Sequence, residues 1–174
     1  MIAEAAHQQG FEVTWLPSYG PEMRGGTANC AVVISSKNIP SPLVEETDRL
    51  LVFSQQSIDK FSRQVAKGAT MIYDENNVSK CPPPKNARSV YSLNASELAK
   101  NLGDVRTANT IILGALSNLI PQIQRAAFIK AIRKNFAGKE KIIGLNLKAF
   151  EDGEKILFSK INSDNSERKC SQNE

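Results

Sequence analysis

Residues 16–29 hold two prolines, three glycines and a single arginine, and they separate two apolar runs at 11–16 and 30–34. Proline fixes φ and removes a hydrogen-bond donor, whereas glycine admits positive φ and lets another backbone approach closely. A stretch of this kind is shaped by its backbone and divides the flanking runs into two separate elements. It is long for a simple surface connection and carries Glu22 and Arg24 at its centre, so it reads as a binding or docking loop.

The flanking runs read as strands. Phe11, Val13 and Trp15 alternate with Glu12 and Thr14, as in a strand with one face better buried. Cys30-Ala31-Val32-Val33-Ile34 is solidly apolar, as expected of a strand covered on both faces. Ile39-Pro40-Ser41-Pro42 cannot be regular structure, because each proline pushes its predecessor toward an extended conformation. Residues 48–53 and 69–73 form two further apolar strands, and 88–93 a short one. Before the first strand, residues 1–9 are helical in character and Gly10 is a natural stop.

Helices dominate the second half. Ser54 to Ser57 supply cap candidates for a helix that carries Ile58, Phe61, Val65 and Ala66 at helical spacing. Asn94 caps 95–102, with Glu97 completing a capping-box-like start, and Gly103 closes that helix. Residues 105–119 place Val105, Ala108, Ile111, Ile112, Ala115, Leu116 and Leu119 on one stripe, and Gly114-Ala115 permits close packing. Pro121 opens another helix, whose Arg125, Lys130, Arg133 and Lys134 are most simply a solvated face. A last helix covers 141–152. Strands and helices in alternation, followed by a run of helices, predict an α/β domain: a Rossmann-like three-layer sandwich with a mixed or mostly parallel sheet and a helical C-terminal part. Residues 1–158 form the single domain, and the polar residues 159–174 are expected to be a disordered tail.

Composition narrows the chemistry. At 174 residues the chain can bury a substantial core without staples. Its net charge of +4 is spread without a Lys/Arg block interleaved with aromatics, so no nucleic-acid partner is expected. No apolar run approaches the roughly 20 residues of a membrane span, and no membrane partner is expected. Cys30, Cys81 and Cys170 offer neither a disulfide framework nor cluster spacing, which suits the cytoplasm. One histidine, His7, leaves no His-based metal site and no histidine-dependent triad. Ser18 has no base beside it, and Cys30 in an apolar strand would be inert. No catalytic residue or metal ligand is assigned. Gly25-Gly26 is followed by a strand and lacks dinucleotide-fingerprint spacing, yet it can offer backbone N–H groups to an anion. Arg24 can supply a bidentate partner to phosphate or carboxylate, and can equally pair with Glu22. These residues favour a binding or docking subunit over a self-sufficient enzyme.

Four segments, in order, carry a resemblance. They are Pro17-Ser18-Tyr19-Gly20-Pro21-Glu22-Met23-Arg24-Gly25-Gly26, Ile39-Pro40-Ser41-Pro42, Ala108-Asn109-Thr110-Ile111-Ile112-Leu113-Gly114-Ala115-Leu116, and Asn146-Leu147-Lys148-Ala149-Phe150-Glu151-Asp152-Gly153. Together they resemble the gamma subunit of 2-oxoacid:ferredoxin (acceptor) oxidoreductases, which act on pyruvate, 2-oxoglutarate, 2-oxoisovalerate or indolepyruvate. Family members open with a strand and a Gly-rich turn ahead of the first helix. This chain shows neither, so the sheet is expected to have a gap or to close around it.

The resemblance implies an oxidoreductase subunit that is inactive alone. It would share in coenzyme A-dependent oxidative decarboxylation of a 2-oxoacid. No cofactor is expected on this chain. Thiamine diphosphate and iron–sulfur clusters would sit on partner alpha and beta subunits, with a delta subunit as an option, and ferredoxin or a similar acceptor would take the electrons. By motif match, Arg24, Gly25, Gly26 and Asn109 are the residues expected on the coenzyme A side. The alternative is a non-catalytic binding or scaffold domain derived from the same family.

Overall fold

The computed structural model describes residues 1–18, 27–81 and 84–170, with side chains as far as residue 164. A short helix, α1 (Ile2–His7), is followed by the hairpin strands β1 (Glu12–Ser18) and β2 (Asn29–Ser35). These pair antiparallel, from Glu12 opposite Ser35 to Ser18 opposite Asn29. The strands β3 (Thr47–Val52), β4 (Val65–Asp74) and β5 (Ala87–Leu93) form a parallel sheet in that order. Helix α2 (Gln55–Phe61) makes the crossover from β3 to β4. Helices α3 (Ala95–Leu102), α4 (Ala108–Ser117), α5 (Arg125–Asn135) and α6 (Glu140–Cys170) complete the chain. This is the α/β class expected, with antiparallel and parallel pairing and a helical C-terminal part.

Among the described residues the hairpin and the parallel sheet share no hydrogen-bonded strand pair. A gap separates the β1–β2 hairpin from β3. It explains why β2 departs from its expected burial. An apolar strand covered on both faces was anticipated, but most of β2 is half-buried and Cys30 is exposed. The thiol that the sequence placed in an apolar interior is thus open to solvent.

Other boundaries also moved. Helix α2 stops at Phe61, a 3₁₀ turn (Ser62–Gln64) follows, and Val65 already belongs to β4. The apolar spacing of Ile58, Phe61 and Val65 spans a helix end and a strand start. Helix α6 runs from Glu140 to Cys170, well beyond the expected 141–152 and into the segment expected to be disordered. No proline or glycine interrupts it after Gly153, and extending an existing helix costs far less than nucleating one.

The core has two large centres. One gathers Ile72, Leu93, Ile111, Ile112, Ala149 and Leu157 between the parallel sheet, α4 and α6. The other gathers Ala5, Ala6, Phe128, Ile132 and Phe150 between α1, α5 and α6. Helices α4 and α6 cross at glycines. A Cβ built on Gly114 would overlap the Phe150 carbonyl oxygen and lie 2.8 Å from its carbon. A Cβ on Gly153 would overlap the Ile111 carbonyl oxygen in the same way. Beside this crossing the Thr110 hydroxyl donates to Asn146 Oδ1 at 2.6 Å, and Asn146 Nδ2 donates to the Ile142 carbonyl at 2.9 Å. A polar pair buried this deeply is tolerated because its hydrogen-bonding groups are matched.

Candidate functional site

The gap is a cleft of about 1590 Å³. Trp15 and Pro17 of β1, Val32 and Ile34 of β2, and Leu50 and Leu51 of β3 line it, with Ile2 and Ala3 of α1 and Leu119 and Ile120 beyond α4. Trp15 is 61% exposed and Phe53 is 41% exposed, so large apolar side chains that a closed sheet would cover remain open here. Both flanks are strands, so the cleft is walled by backbone as well as by side chains. The stems of the long β1–β2 loop, Pro17 on one side and Thr27 on the other, lie at its edge.

Arg49 and Lys134 are the cations that the described residues place in this cleft, and Lys134 is paired with Glu4; Arg49 stands on the strand wall. It sits early in β3, its Nη1 donates to the Asp48 carbonyl at 2.7 Å, and its Nη2 reaches the Leu119 carbonyl at 3.4 Å. Among the described residues its Nε is buried without an acceptor, and the Asp48 carboxylate lies 3.6 Å from its Nη1. The side chain is about one-third exposed on the wall of an open cleft, where its terminal guanidinium N–H groups can donate to an anionic oxygen. On the neighbouring helix, Lys60 Nζ donates to Thr27 Oγ1 at 3.2 Å and so ties α2 to the returning stem of the loop.

Arg24, Gly25 and Gly26 lie outside the described residues. Asn109 is the second residue of α4, exposed, and its Oδ1 accepts from Thr110 Oγ1 at 3.2 Å. It is not among the residues lining the cleft. Arg49 escaped the sequence reading because it opens a run suited to a buried strand; the charged Asp48-Arg49 pair at the head of that run was the available signal.

A second polar centre closes the carboxyl end of β4. Asp74 is fully buried. Its Oδ2 accepts from the Ser96 hydroxyl and, at 2.8 Å, from Asn77 Nδ2. Its Oδ1 accepts the Ser96 and Asn76 backbone N–H groups, each at 3.3 Å. The Asp74 carboxylate therefore fills the N-terminal position of α3 that an external anion would otherwise occupy. Asn94, the expected cap, makes no side-chain cap bond.

Ahead of α4, Asp104 caps the 3₁₀ turn Val105–Thr107 and accepts the Arg106 side chain at 2.6 to 3.0 Å. These side-chain bonds, followed by the Arg106 backbone N–H, hold its carboxyl down at about 2. A depressed carboxylate stabilises the fold above its ordinary value of 3.8, and that contribution disappears as pH falls through about 2. Carboxyl-carbon NMR of the folded chain is expected to show this midpoint, and Arg106→Ala is expected to return it toward 3.8. A midpoint unaffected by Arg106→Ala would show that the pairing does not set it. Glu4 is lowered likewise, first by its hydrogen bond from Lys134, which links α1 to α5 at 2.6 Å.

Among the described residues no group of three or more His, Cys, Asp or Glu side chains could hold a metal ion. No helix of the described residues is long and apolar enough to cross a membrane.

Comparison with known proteins gives this architecture its relatives. The ketoisovalerate oxidoreductase subunit VorA of Methanothermobacter thermautotrophicus is 40% identical over 153 residues, 87% of this chain and 31% of that protein. The chain thus spans about a third of the length of that curated relative. The gamma subunit of a keto/oxoacid ferredoxin oxidoreductase from Geobacter sulfurreducens superposes with a TM-score of 0.77 at 31% identity, covering 91% of this chain and 88% of that one. A 2-oxoglutarate:ferredoxin oxidoreductase from Magnetococcus marinus, with 2-oxoglutarate, coenzyme A and succinyl-CoA bound, gives a TM-score of 0.80 at 25% identity, covering 91% of this chain and 28% of that one. The pyruvate ferredoxin/flavodoxin oxidoreductase family model matches residues 1–156. The gamma-subunit likeness read from four ordered motifs is matched by the fold and by these relatives, and the chain belongs to the pyruvate ferredoxin/flavodoxin oxidoreductase family.

Proposed function

We propose that this chain is the gamma-type part of a 2-oxoacid:acceptor oxidoreductase and takes part in coenzyme A-dependent oxidative decarboxylation of a 2-oxoacid. The observation that carries this reading is the family match across residues 1–156 together with the gamma-subunit fold. The chain's three scattered cysteines cannot ligate a cluster that requires four thiolates. Thiamine diphosphate, which supplies the carbanion-stabilising chemistry of such reactions, and the clusters are therefore assigned to companion alpha and beta subunits. The assembly works in the cytoplasm and passes electrons to ferredoxin or a similar carrier.

This chain's own contribution is to bind and orient. In this reading Arg24, Gly25, Gly26 and Asn109 serve the coenzyme A side of the shared site, and Arg49 adds a second cation on the cleft wall. The chemistry is that of anion recognition, with backbone N–H groups at the two glycines and guanidinium donors for phosphate oxygens. Arg24→Ala and Arg49→Ala, each reconstituted into the complex, are expected to raise the KM for coenzyme A about tenfold or more. Loss of one charge-assisted hydrogen bond is worth roughly 1.5–3 kcal/mol. The isolated variants should keep the wild-type circular dichroism. Unchanged turnover at limiting coenzyme A would remove the arginine concerned from the site. The reading as a whole is tested by purifying the tagged chain from its native host and assaying oxoacid- and coenzyme A-dependent reduction of a viologen dye. A chain that never retains a thiamine-binding companion overturns it.

A further inference from the structure

Positive charge in this protein is concentrated at one corner. Between Arg125 and Lys148 stand seven basic residues and one acid, Glu140. That segment therefore carries +6, while the whole chain carries +4 and the remainder is at −2. Two of the cations are engaged: Arg125 Nε holds the Glu154 carboxylate at 2.9 and 3.0 Å, and Lys134 holds Glu4. Lys130, Arg133, Lys139, Lys141 and Lys148 are exposed and have no hydrogen-bond or ion-pair partner among the described residues. They lie on the last turns of α5 and the opening turns of α6, joined by a tight turn at Gly138 with φ of 79°.

The placement is not what helix stability alone would select. Lys139 immediately precedes α6 and Lys141 lies in its first turn, where the helix dipole favours anions. Their mutual repulsion and that of the neighbouring cations is relieved by a negative partner. Three classes of partner carry such charge, and the structure separates them. A lipid surface needs an apolar face to insert, but the apolar side of α5, with Ala127, Phe128, Ala131 and Ile132, is consumed in the core. A single-stranded nucleic acid needs exposed rings for its bases, and the aromatics of this segment are Phe128, buried with its ring centroid 5.6 Å from that of Phe150, and Phe136, partly buried in the same cluster. What remains is a surface whose attraction is electrostatic and whose rim stays wet, as protein–protein contacts often are.

We propose that the α5–α6 corner docks an acidic face of a companion subunit. This rests on the reading above that the chain works within an oxidoreductase assembly. Charge complementarity specifies the occupant as a cluster of Asp and Glu side chains set against Lys130, Arg133, Lys139, Lys141 and Lys148. Contacts of this kind set association rate and partner choice, and they weaken as salt screens them.

The test uses the complex purified from the native host through a tag on this chain. A zero-length carbodiimide, which joins lysine amines to carboxylates in contact, is expected to link Lys130, Lys139, Lys141 or Lys148 to Asp or Glu of a companion subunit. The variant Lys130→Glu/Arg133→Glu/Lys141→Glu alters exposed positions only and should keep the wild-type melting profile. It is expected to retain the companion at least about tenfold less at low salt, and wild-type retention should fall as salt rises. Equal retention by the variant and the wild type overturns the docking surface while leaving the functional reading in place. So does a set of crosslinks confined to this chain, or retention that a nuclease abolishes, or charge-dependent flotation with phosphatidylglycerol vesicles. A wild-type chain that retains no companion overturns the functional reading and this inference together.

Discussion

Gly153→Ala is expected to cost the fold roughly 3 kcal/mol or more, the upper end of what overpacking does, because its new methyl group would run into the backbone of the facing helix. The Cβ would overlap the Ile111 carbonyl oxygen and stand 2.8 Å from its carbon and 3.0 Å from the Ala115 nitrogen. No rotamer change relieves a clash with main chain, so α4 and α6 must separate, and the contacts of Ile111, Ile112, Ala149 and Leu157 loosen with them. For a domain of this size that corresponds to a melting temperature lower by roughly 6–12 °C. Gly114→Ala should behave alike, since its Cβ meets the Phe150 carbonyl. Gly144→Ala supplies the control of opposite sign. It lies on an exposed turn of the same helix α6, and its Cβ would meet nothing within 4 Å. It should gain about 0.5–1 kcal/mol from restricted unfolded-chain freedom. Thermal melts of the three variants decide the matter: a Gly153→Ala protein as stable as the wild type would mean that the helices do not cross at glycine contact.

Asp74→Ala is the second large effect. It removes a fully buried acceptor of four hydrogen bonds, from the Ser96 hydroxyl, Asn77 Nδ2 and the Asn76 and Ser96 amides. Leaving such donors unmatched should cost roughly 2–4 kcal/mol, read as a lower urea midpoint with an unchanged slope. Asp74→Asn keeps the two amide bonds to Oδ1 but sets its own N–H₂ against Asn77 Nδ2, so an intermediate loss is expected. Glu75→Ala, exposed on the adjacent turn, should change little. Midpoints for Asp74→Ala and Glu75→Ala that coincide would show that this carboxylate does not hold β4 to α3.

These two sites mark how far local sequence signals reached. Gly114 was legible as a close-packing position because it stands in a dense apolar stripe, and Gly103 as a helix stop, with its φ of 97°. The cap of α3 was read from its neighbours, Asn94 and Glu97, because capping rules describe residues close in the chain. The anion that holds it comes from Asp74 at the end of a strand, brought there by the parallel pairing of β4 and β5. For the same reason Arg49 passed as one residue of an apolar strand, and its place on a cleft wall depends on the distance between two sheets. The solid apolar run at Cys30–Ile34 implied cover on both faces, but burial belongs to neighbours, and the gap beside the hairpin withholds them.

By itself the amino-acid sequence determined the elements, the α/β class and the family, because periodicity, glycine and proline placement, and ordered motifs act over short spans of chain. Tertiary structure alone decided the rest. The cleft between hairpin and sheet, the glycine crossing of α4 on α6 and the Asp74 cap arise from residues far apart in sequence. Their contacts exist only once the backbone has brought them to within a few ångströms.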